Sequence, residues 1–309
     1  MRAPRKGWER DRLPTYREGM SSDGELGRSW TLADCRDWIA VPGSDDDKYS
    51  RGVLGVVTGS DEYPGAAVLG VEAASRTGVG MVRYLGDDVP AGMVLGRRPE
   101  TVTAFGRVQA WLLGSGMDAS HRDETNTGRL RRSLEQEVPA VVDAGALDLI
   151  GSAAGPVVIT PHYRELSRVL GDYDVRVSAP AIAADARTWA AEAARVTAAT
   201  VLLKGHVTHV AVPNGRVIDV STGPDAGWLA TAGSGDVLGG ILGALVATHS
   251  DAVSRDGHDA LGELAATAAA LHGAAARAAT DAHGGGPFMA LDIADAMSGV
   301  IGRVLHTEH

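Results

Sequence analysis

A glycine-rich turn that leads directly into a run of small apolar residues constrains the fold of this 309-residue chain more than any other feature. The turn, residues 230–236, reads Ala-Thr-Ala-Gly-Ser-Gly-Asp, and the run after it contains only Val, Leu, Ile, Ala and Gly. Glycines let the backbone turn tightly near a ligand, and a helix that begins there points its unpaired N–H groups at that ligand. The pattern predicts an anion cradle formed by Gly233, Ser234 and Gly235, although an ordinary capped turn has the same short signature.

Asp236 is the residue of this turn whose side chain can accept or donate a proton. It stands where the helix begins, so we expect the positive end of the helix to favour its ionised form. An ionised carboxylate beside a phosphoryl acceptor can take the acceptor's hydroxyl proton. Asp236 is therefore a candidate general base, and a helix-capping aspartate is the alternative.

The rest of the chain predicts strands that alternate with helices. Short apolar runs bounded by turn residues, such as 140–142 and 201–203, are typical of strands buried on both faces of a parallel sheet. Asn214-Gly215 predicts a hairpin. The predicted strands are 53–58, 80–85, 109–113, 139–143, 156–160, 200–204, 207–212 and 216–220, and the predicted helices are 64–77, 120–137, 163–170, 180–198, 235–248, 258–280 and 289–305. This is an α/β fold with a central, mainly parallel sheet between helical layers and with ligands at the carboxyl ends of the strands.

The domain organisation that we expect is one α/β domain over residues 46–309, preceded by an N-terminal extension over 1–45. Residues 1–28 are rich in Arg, Asp, Glu and Gly and lack periodicity, so we expect them to be disordered or loosely attached. A short helix capped by Thr31 is predicted over 30–39.

Charge and composition exclude several classes of partner. The net charge of −10 argues against nucleic acids and membrane surfaces, which require a basic face, but not against a nucleotide held by a local cradle. We find no apolar run of about 18 residues and no signal-peptide pattern, so we expect a soluble, cytoplasmic protein. The single cysteine, Cys35, excludes an internal disulfide, and we interpret it as inert.

Further segments accompany the turn in a fixed order. They are 52–60 with Tyr-Pro-Gly-Ala-Ala at 63–67, Trp-Leu-Leu-Gly-Ser-Gly-Met at 111–117, Val-Asp-Ala-Gly-Ala-Leu at 142–147, Thr-Pro-His at 160–162 and Lys-Gly-His-Val-Thr at 204–208. Together they resemble the ADP/ATP-dependent NAD(P)H-hydrate dehydratases, a branch of the ribokinase-like superfamily, over roughly residues 45–305.

The resemblance implies an activity and its cofactors. Those enzymes repair hydrated NADH and NADPH, which carry an added hydroxyl on the nicotinamide ring. ADP or ATP phosphorylates the hydroxyl, phosphate is eliminated, and Mg²⁺ offsets the charge of the nucleotide phosphates. Nucleotide-dependent dehydration is therefore the expected function.

The resemblance also assigns roles to individual residues. Asp236 would be the catalytic base and would contact the substrate together with Ala66, Gly116 and His162. The nucleotide would bind to Lys204, Gly205, His206, Val207, Thr208 and Gly235, and Glu165 could order a metal ion through water.

Three segments depart from the family's pattern. Tyr163-Arg164 replaces Pro-Gly, Gly145 stands where many relatives have a second Asp, and 222–227 replaces Gly-Asn-Pro-Gly. They leave a nucleotide-binding relative without catalysis as one alternative. A kinase of the same fold that acts on a vitamin precursor or sugar is another, because Gly-x-Gly-Asp alone does not distinguish it. Because the extension is too short for an epimerase domain, we expect a separate NAD(P)H-hydrate epimerase as functional partner. The resemblance also implies a homo-oligomer.

Overall fold

A nine-stranded sheet forms the centre of the computed structural model, which describes residues 28–221 and 224–306. Its strands are β1 (Arg28–Ser29), β2 (Val53–Val57), β3 (Met81–Tyr84), β4 (Ala110–Leu113), β5 (Ala140–Val142), β6 (Val157–Ile159), β7 (Thr200–Leu203), β8 (Val207–Ala211) and β9 (Val217–Ser221). Their order is β1-β9-β8-β7-β6-β5-β4-β2-β3. All neighbours are parallel except the antiparallel pairs β7–β8 and β8–β9, so the predicted mainly parallel sheet is confirmed.

Helices cover both faces of the sheet. They are α1 (Gly65–Thr77), α2 (Asp88–Arg97), α3 (Glu124–Leu134), α4 (Tyr163–Asp172), α5 (Ala179–Ala184), α6 (Ala186–Thr197), α7 (Ser234–Thr248), α8 (Ser250–Asp256), α9 (His258–Ala282) and α10 (Ala290–His306). Helices α1, α7, α9 and α10 pack on one face, and α3, α4 and α6 pack on the other. The central strands are thus buried on both sides, which explains their continuous Val and Leu runs.

Several predicted helices differ from the structure. The helix predicted over 180–198 is two helices, because Asp185 leaves the helical conformation (φ −144°, ψ 58°) and caps α6 instead. The helix predicted over 30–39 is wrong: turns lead to a single 3₁₀ turn, Arg36–Trp38, and Asp34 accepts the Thr31 N–H. Helices α2 and α8 were not predicted.

Part of the expected N-terminal extension packs onto the domain. Strand β1 pairs with β9, and Trp30 and Cys35 are buried in the same core as α9. Burial raises the pKa of the Cys35 thiol to about 12, which keeps it protonated and unreactive. Residues 1–27, where most of the expected disorder falls, lie outside the described residues.

A buried carboxylate ties α1 to α2 and α10. Glu72 has no exposed side-chain surface and accepts hydrogen bonds from Arg76 (2.7 Å), Arg97 (3.2 Å) and Arg98. Burial works to raise the pKa of Glu72, but the three arginines lower it to about 2. Asp295 of α10 pairs with Arg76 at 2.7 Å, so the cluster holds three helices together.

Glycines bring α7 against α1 and the sheet. A Cβ at Gly240 would lie 2.2 Å from the Gly70 carbonyl oxygen, and one at Gly243 would lie 3.0 Å from Leu54. Gly52, before β2, meets the C-terminal end of α7, whereas Ser115, after β4, meets its first turns. The helix therefore runs antiparallel to β2, and its N-terminus lies at the carboxyl ends of the strands.

The position of that N-terminus coincides with the topological switch of the sheet. From β2 the chain adds β3 on one side, and it then returns to add β4 on the other side. Ligands of open α/β sheets bind in the crevice at such a switch. Separately, within 28–221 and 224–306 no single helix is long and apolar enough to cross a membrane, and the pair α7 and α8, which together reach that length, is bent by 76°.

Candidate active site

Polar side chains follow four neighbouring buried strands at the point where each strand ends. They are Ser115 after β4, Asp143 after β5, Thr160 after β6 and Lys204 after β7. Asp143 is 4% exposed and lies at their centre. It accepts hydrogen bonds from Ser115 Oγ (3.1 Å), Thr160 Oγ1 (2.8 Å) and Lys204 Nζ (3.1 Å). This network gathers a carboxylate, two hydroxyl groups and an ammonium group at the carboxyl edge of the sheet.

Lys204 is surrounded by carboxylates. Its Nζ lies 3.1 Å from Asp143 Oδ1 and 3.9 Å from Glu165 Oε2, and it also interacts electrostatically with Asp236. Burial works to lower the pKa of Lys204, but the negative charges raise it above its ordinary value. The ammonium group therefore stays charged, and it offers one fixed positive charge to a ligand at this edge.

Asp236 is half-buried on the first turn of α7, within electrostatic reach of that ammonium group. Burial and the nearby charge of Asp143 raise its pKa to about 7, against the opposing effect of Lys204. Our expectation that the helix terminus would favour the ionised form was therefore wrong in direction, because the loss of water around the carboxyl group outweighs it. A carboxyl group with a pKa near neutrality is well matched to the transfer of a proton.

The turn before α7 has the form expected of an anion cradle. Gly233 adopts a left-handed conformation (φ 88°), which glycine tolerates best, and α7 begins at Ser234. Within the described residues, the N–H groups of Gly235 and Asp236 donate to no backbone carbonyl. A Cβ built on Gly235 would be 3.6 Å from Lys204 Nζ, so donors and cation face the same space. Free donors beside a cation favour a phosphate-like ligand.

His162 caps α4 and is fixed in one tautomer. The backbone N–H groups of Arg164 and Glu165 both donate to the ring Nδ1 of His162 at 3.1 Å. The backbone N–H of His162 in turn donates to Glu165 Oε2 at 2.8 Å. Because Nδ1 is an acceptor, the neutral ring carries its proton on Nε2. The side chain is 50% exposed, so Nε2–H is free to donate to a ligand.

Gly116 and Ala66 lie against each other. Gly116 is left-handed (φ 68°), and a Cβ there would lie 2.4 Å from the Ala66 Cβ. Smallness at both positions therefore keeps the loop after β4 close to α1. Gly145, which stands where many relatives have Asp, is also at a crowded position, because an added Cβ would lie 2.4 Å from the Met117 carbonyl oxygen.

The predicted nucleotide segment begins at this edge and leads into β8. Lys204 and Gly205 lie at the end of β7, His206 and Val207 are exposed, and Thr208 is buried. Tyr163, part of a second departure from the family's pattern, packs over Gly205, where an added Cβ would meet the tyrosine hydroxyl at 2.3 Å. The segment is thus held from the side of α4.

The structure brings most of the predicted site residues to one edge and adds residues that sequence reasoning missed. The sequence places Asp143 at the carboxyl end of a strand, where ligand contacts concentrate, but we predicted no specific role for it, and we did not predict Ser115 or Thr160 as site residues. A signal was present in the sequence, because each is a polar residue that comes within two positions of a buried strand's end.

Among the residues that the structure describes, no group of three or more His, Cys, Asp and Glu side chains is arranged to hold a metal ion. Asp143 already accepts from three donors, and Glu165 accepts from His162. These residues therefore do not form a protein cage for Mg²⁺.

Comparison with known proteins gives a consistent result. Residues 54–298 match the family model described as NAD(P)H-hydrate dehydratase. A bifunctional NAD(P)H-hydrate repair enzyme Nnr of Mycobacterium leprae is 43% identical over 229 residues, which are 70% of this chain and 45% of that protein. An ADP-dependent (S)-NAD(P)H-hydrate dehydratase of Neisseria meningitidis is 35% identical over 252 residues, which are 75% of this chain and 78% of that protein.

A solved structure is similar over nearly its whole length. The ADP/ATP-dependent NAD(P)H-hydrate dehydratase of Bacillus subtilis, co-crystallised with ATP and Mg²⁺, superposes with a TM-score of 0.76 at 25% identity and covers 91% of this chain and 99% of its own. By contrast, the chain spans less than half the length of the mycobacterial relative.

Proposed function

The chain belongs to the NAD(P)H-hydrate dehydratase family, and we propose that it uses ADP or ATP to dehydrate hydrated NADH or NADPH. The observation that carries the proposal is the placement of Asp236. Its carboxyl group, whose pKa is raised to about 7, stands on the first turn of α7 with the unpaired N–H groups of Gly235 and Asp236, within electrostatic reach of the Lys204 ammonium at the switch of the sheet. A base, an anion cradle and a cation around one space are the parts that phosphoryl transfer requires.

The first step is phosphorylation of the ring hydroxyl. Asp236 accepts the hydroxyl proton while the oxygen bonds to the terminal phosphorus of the nucleotide, and the bond from that phosphorus to the leaving AMP or ADP breaks. The N–H groups of Gly235 and Asp236 stabilise the charge on the phosphoryl oxygens, and Lys204 offsets that on the leaving phosphate.

The second step is elimination. The carbon–oxygen bond to phosphate breaks, a proton leaves the neighbouring ring carbon, and the ring double bond is restored. The balance is hydrate plus ATP or ADP, giving reduced nicotinamide, ADP or AMP respectively, inorganic phosphate and one proton released to solvent. Phosphate is a far better leaving group than hydroxide, which is why the nucleotide is consumed.

The two substrates approach from different sides. The segment 204–208 supports adenosine nucleotide binding, with Lys204 at the phosphates. Gly116 and Ala66 leave room for the close approach of the dinucleotide, and the Nε2–H of His162 supplies a donor for its phosphate or amide.

Mg²⁺ prefers oxygen ligands and is often held mainly by substrate phosphates. Since the described residues form no protein cage, we propose that it arrives on the nucleotide; the role of Glu165 in ordering its water stays a prediction. A functional link to an NAD(P)H-hydrate epimerase, a cytoplasmic location and a homo-oligomer likewise remain proposals based on the family.

The test is recovery of the near-ultraviolet absorbance of reduced nicotinamide from purified hydrated NADH and NADPH, with ADP, with ATP and with neither. We expect nucleotide-dependent recovery in the wild type and a fall of about 10²-fold or more in Asp236→Asn. Asp256→Asn makes the same chemical change at an exposed position on α8 and should keep full activity. Absence of recovery from a protein that still binds adenosine nucleotides would refute the proposal.

A further inference from the structure

An isolated polar side chain interrupts the alanine-rich part of α9. Between residues 265 and 279 the sequence has two titratable side chains, the exposed Arg277 and His272, which is 6% exposed. Burial lowers the pKa of His272 to about 4, so its ring is neutral at physiological pH. Burying an imidazole costs free energy that alanine or leucine would avoid, so its partner at this position matters.

That partner is the turn that forms the anion cradle. His272 Nε2 lies 3.3 Å from Ser234 Oγ, within hydrogen-bond distance, and both groups are buried. The positive charge of Lys204 also works to lower the pKa of His272, so the ring lies within electrostatic reach of the candidate site. The Ser234 hydroxyl therefore points into the protein, toward α9, and its backbone N–H donates to the Thr231 carbonyl at 3.4 Å, so the free donors of the cradle are those of Gly235 and Asp236.

The turn needs such an anchor because of its composition. Gly233 and Gly235 flank Ser234, and glycine gives the backbone more conformational freedom than any other residue. Ser234 is the one residue of the three with a side chain, and that side chain is held by His272. Losing the contact would leave the start of α7 free to shift, and with it the N–H groups of the cradle and the Asp236 carboxylate.

We propose that His272 is a positioning residue of the anion cradle, which fixes the first turn of α7 through Ser234. This inference rests on the proposed phosphoryl transfer for its catalytic consequence. Its consequence for anion binding does not depend on which hydroxyl is phosphorylated. Displacing catalytic groups by a fraction of an ångström lowers rates more than it weakens substrate binding, since the geometry matters most in the transition state.

The test is a double-mutant cycle with Ser234→Ala, His272→Leu and the double variant. We expect each single change to lower kcat about tenfold, with the nucleotide KM within about twofold of wild type. The double variant should be no slower than the slower single variant, because both changes remove one contact. His272→Gln, whose amide reaches the position of Nε2, should recover kcat to within about threefold of wild type.

Thr267→Val is the matched control. Thr267 is fully buried on the same helix, and its hydroxyl has no hydrogen-bond partner among the described residues. The change alters the core of α9 without touching Ser234, so kcat should not change. Thermal unfolding of all variants then separates loss of the contact from general damage to the core.

Binding keeps this inference distinct from the proposed activity. By calorimetry, Ser234→Ala and His272→Leu should weaken ATP binding about twofold, in step with KM, and leave adenosine binding unchanged, whether or not the wild type dehydrates hydrated NADH. Multiplicative losses of kcat in the double variant, or unchanged kcat and ATP affinity in Ser234→Ala, would overturn the inference. A phosphorylated Ser234 found by mass spectrometry would also overturn it, since Ser234 would then be a nucleophile.

Discussion

Replacing the carboxylate of Asp236, the proposed general base, should make the protein more stable as well as inactive. In Asp236→Asn, an amide replaces a carboxyl group of the same shape, and an amide cannot ionise. The carboxylate of Asp236 is poorly solvated in the folded protein and lies near Asp143, and these are the reasons its pKa is raised from 3.8 to about 7. The wild type therefore bears a cost of ionisation at neutral pH that the variant does not.

The size of the effect follows from the difference between the two pKa values. The folded state binds the proton more tightly than the unfolded state, so the stability of the wild type falls as pH rises from about 3.8 to about 7. A tenfold difference in proton affinity between the two states corresponds to about 1.4 kcal/mol. Asp236→Asn should thus gain about 2 kcal/mol at pH 5 and about 4 kcal/mol at pH 8 relative to wild type.

Urea unfolding of both proteins without nucleotide, at pH 5 and at pH 8, measures these differences. Asp256→Asn, at an exposed position, should show no gain at either pH. A gain for Asp236→Asn that does not grow between the two pH values, or a loss of stability at pH 8, would refute the argument that burial and Asp143 raise the pKa of Asp236.

Three further predictions concern the surroundings of the site. Glu72→Gln leaves three arginines without their buried carboxylate, so chemical denaturation should show a loss of about 3 kcal/mol; a loss below about 1 kcal/mol would contradict this. Asp143→Asn removes a charge that raises the pKa of Asp236, so the acid limb of the kcat/KM profile should move to lower pH; an unmoved limb would count against that coupling. Gly116→Ala forces a left-handed alanine into contact with α1, and we expect a stability loss of about 2 kcal/mol and a higher KM for the hydrate, whereas the open position Gly151→Ala should change neither.

Much of the fold could be predicted because strands buried on both faces allow little besides Val, Leu, Ile and Ala. Helix α2 could not, since Pro90, Gly92 and Gly96 make it a poor helix in isolation. Its stability comes from distant contacts: Val94 is fully buried, and Arg97 pairs with Glu72. Helix propensity depends on the local sequence and does not report such distant contacts.

The same distinction holds for the site. Motifs that are contiguous in the sequence, such as 233–236 and 204–208, could be recognised from the sequence alone. The roles of their individual residues remain predictions. The central position of Asp143 was not visible, because it depends on strands β4, β5, β6 and β7 being neighbours. The predicted direction of the Asp236 pKa change failed for a related reason: the helix terminus is a local feature, whereas burial is set by the whole fold.

The glycines of α7 also bear on how the active protein assembles. Four of its fifteen residues are glycine, each of which costs about 1 kcal/mol of helix propensity relative to alanine. At Gly240 and Gly243 an alanine would clash with α1 or press against the sheet, so the usual route to a more stable helix is closed. The helix is therefore stable only when it is packed against α1 and the sheet. The cradle forms, and Asp236 reaches its position, only when the helix packs there. Activity and global structure should disappear at the same denaturant concentration, without an active, partly unfolded form in between.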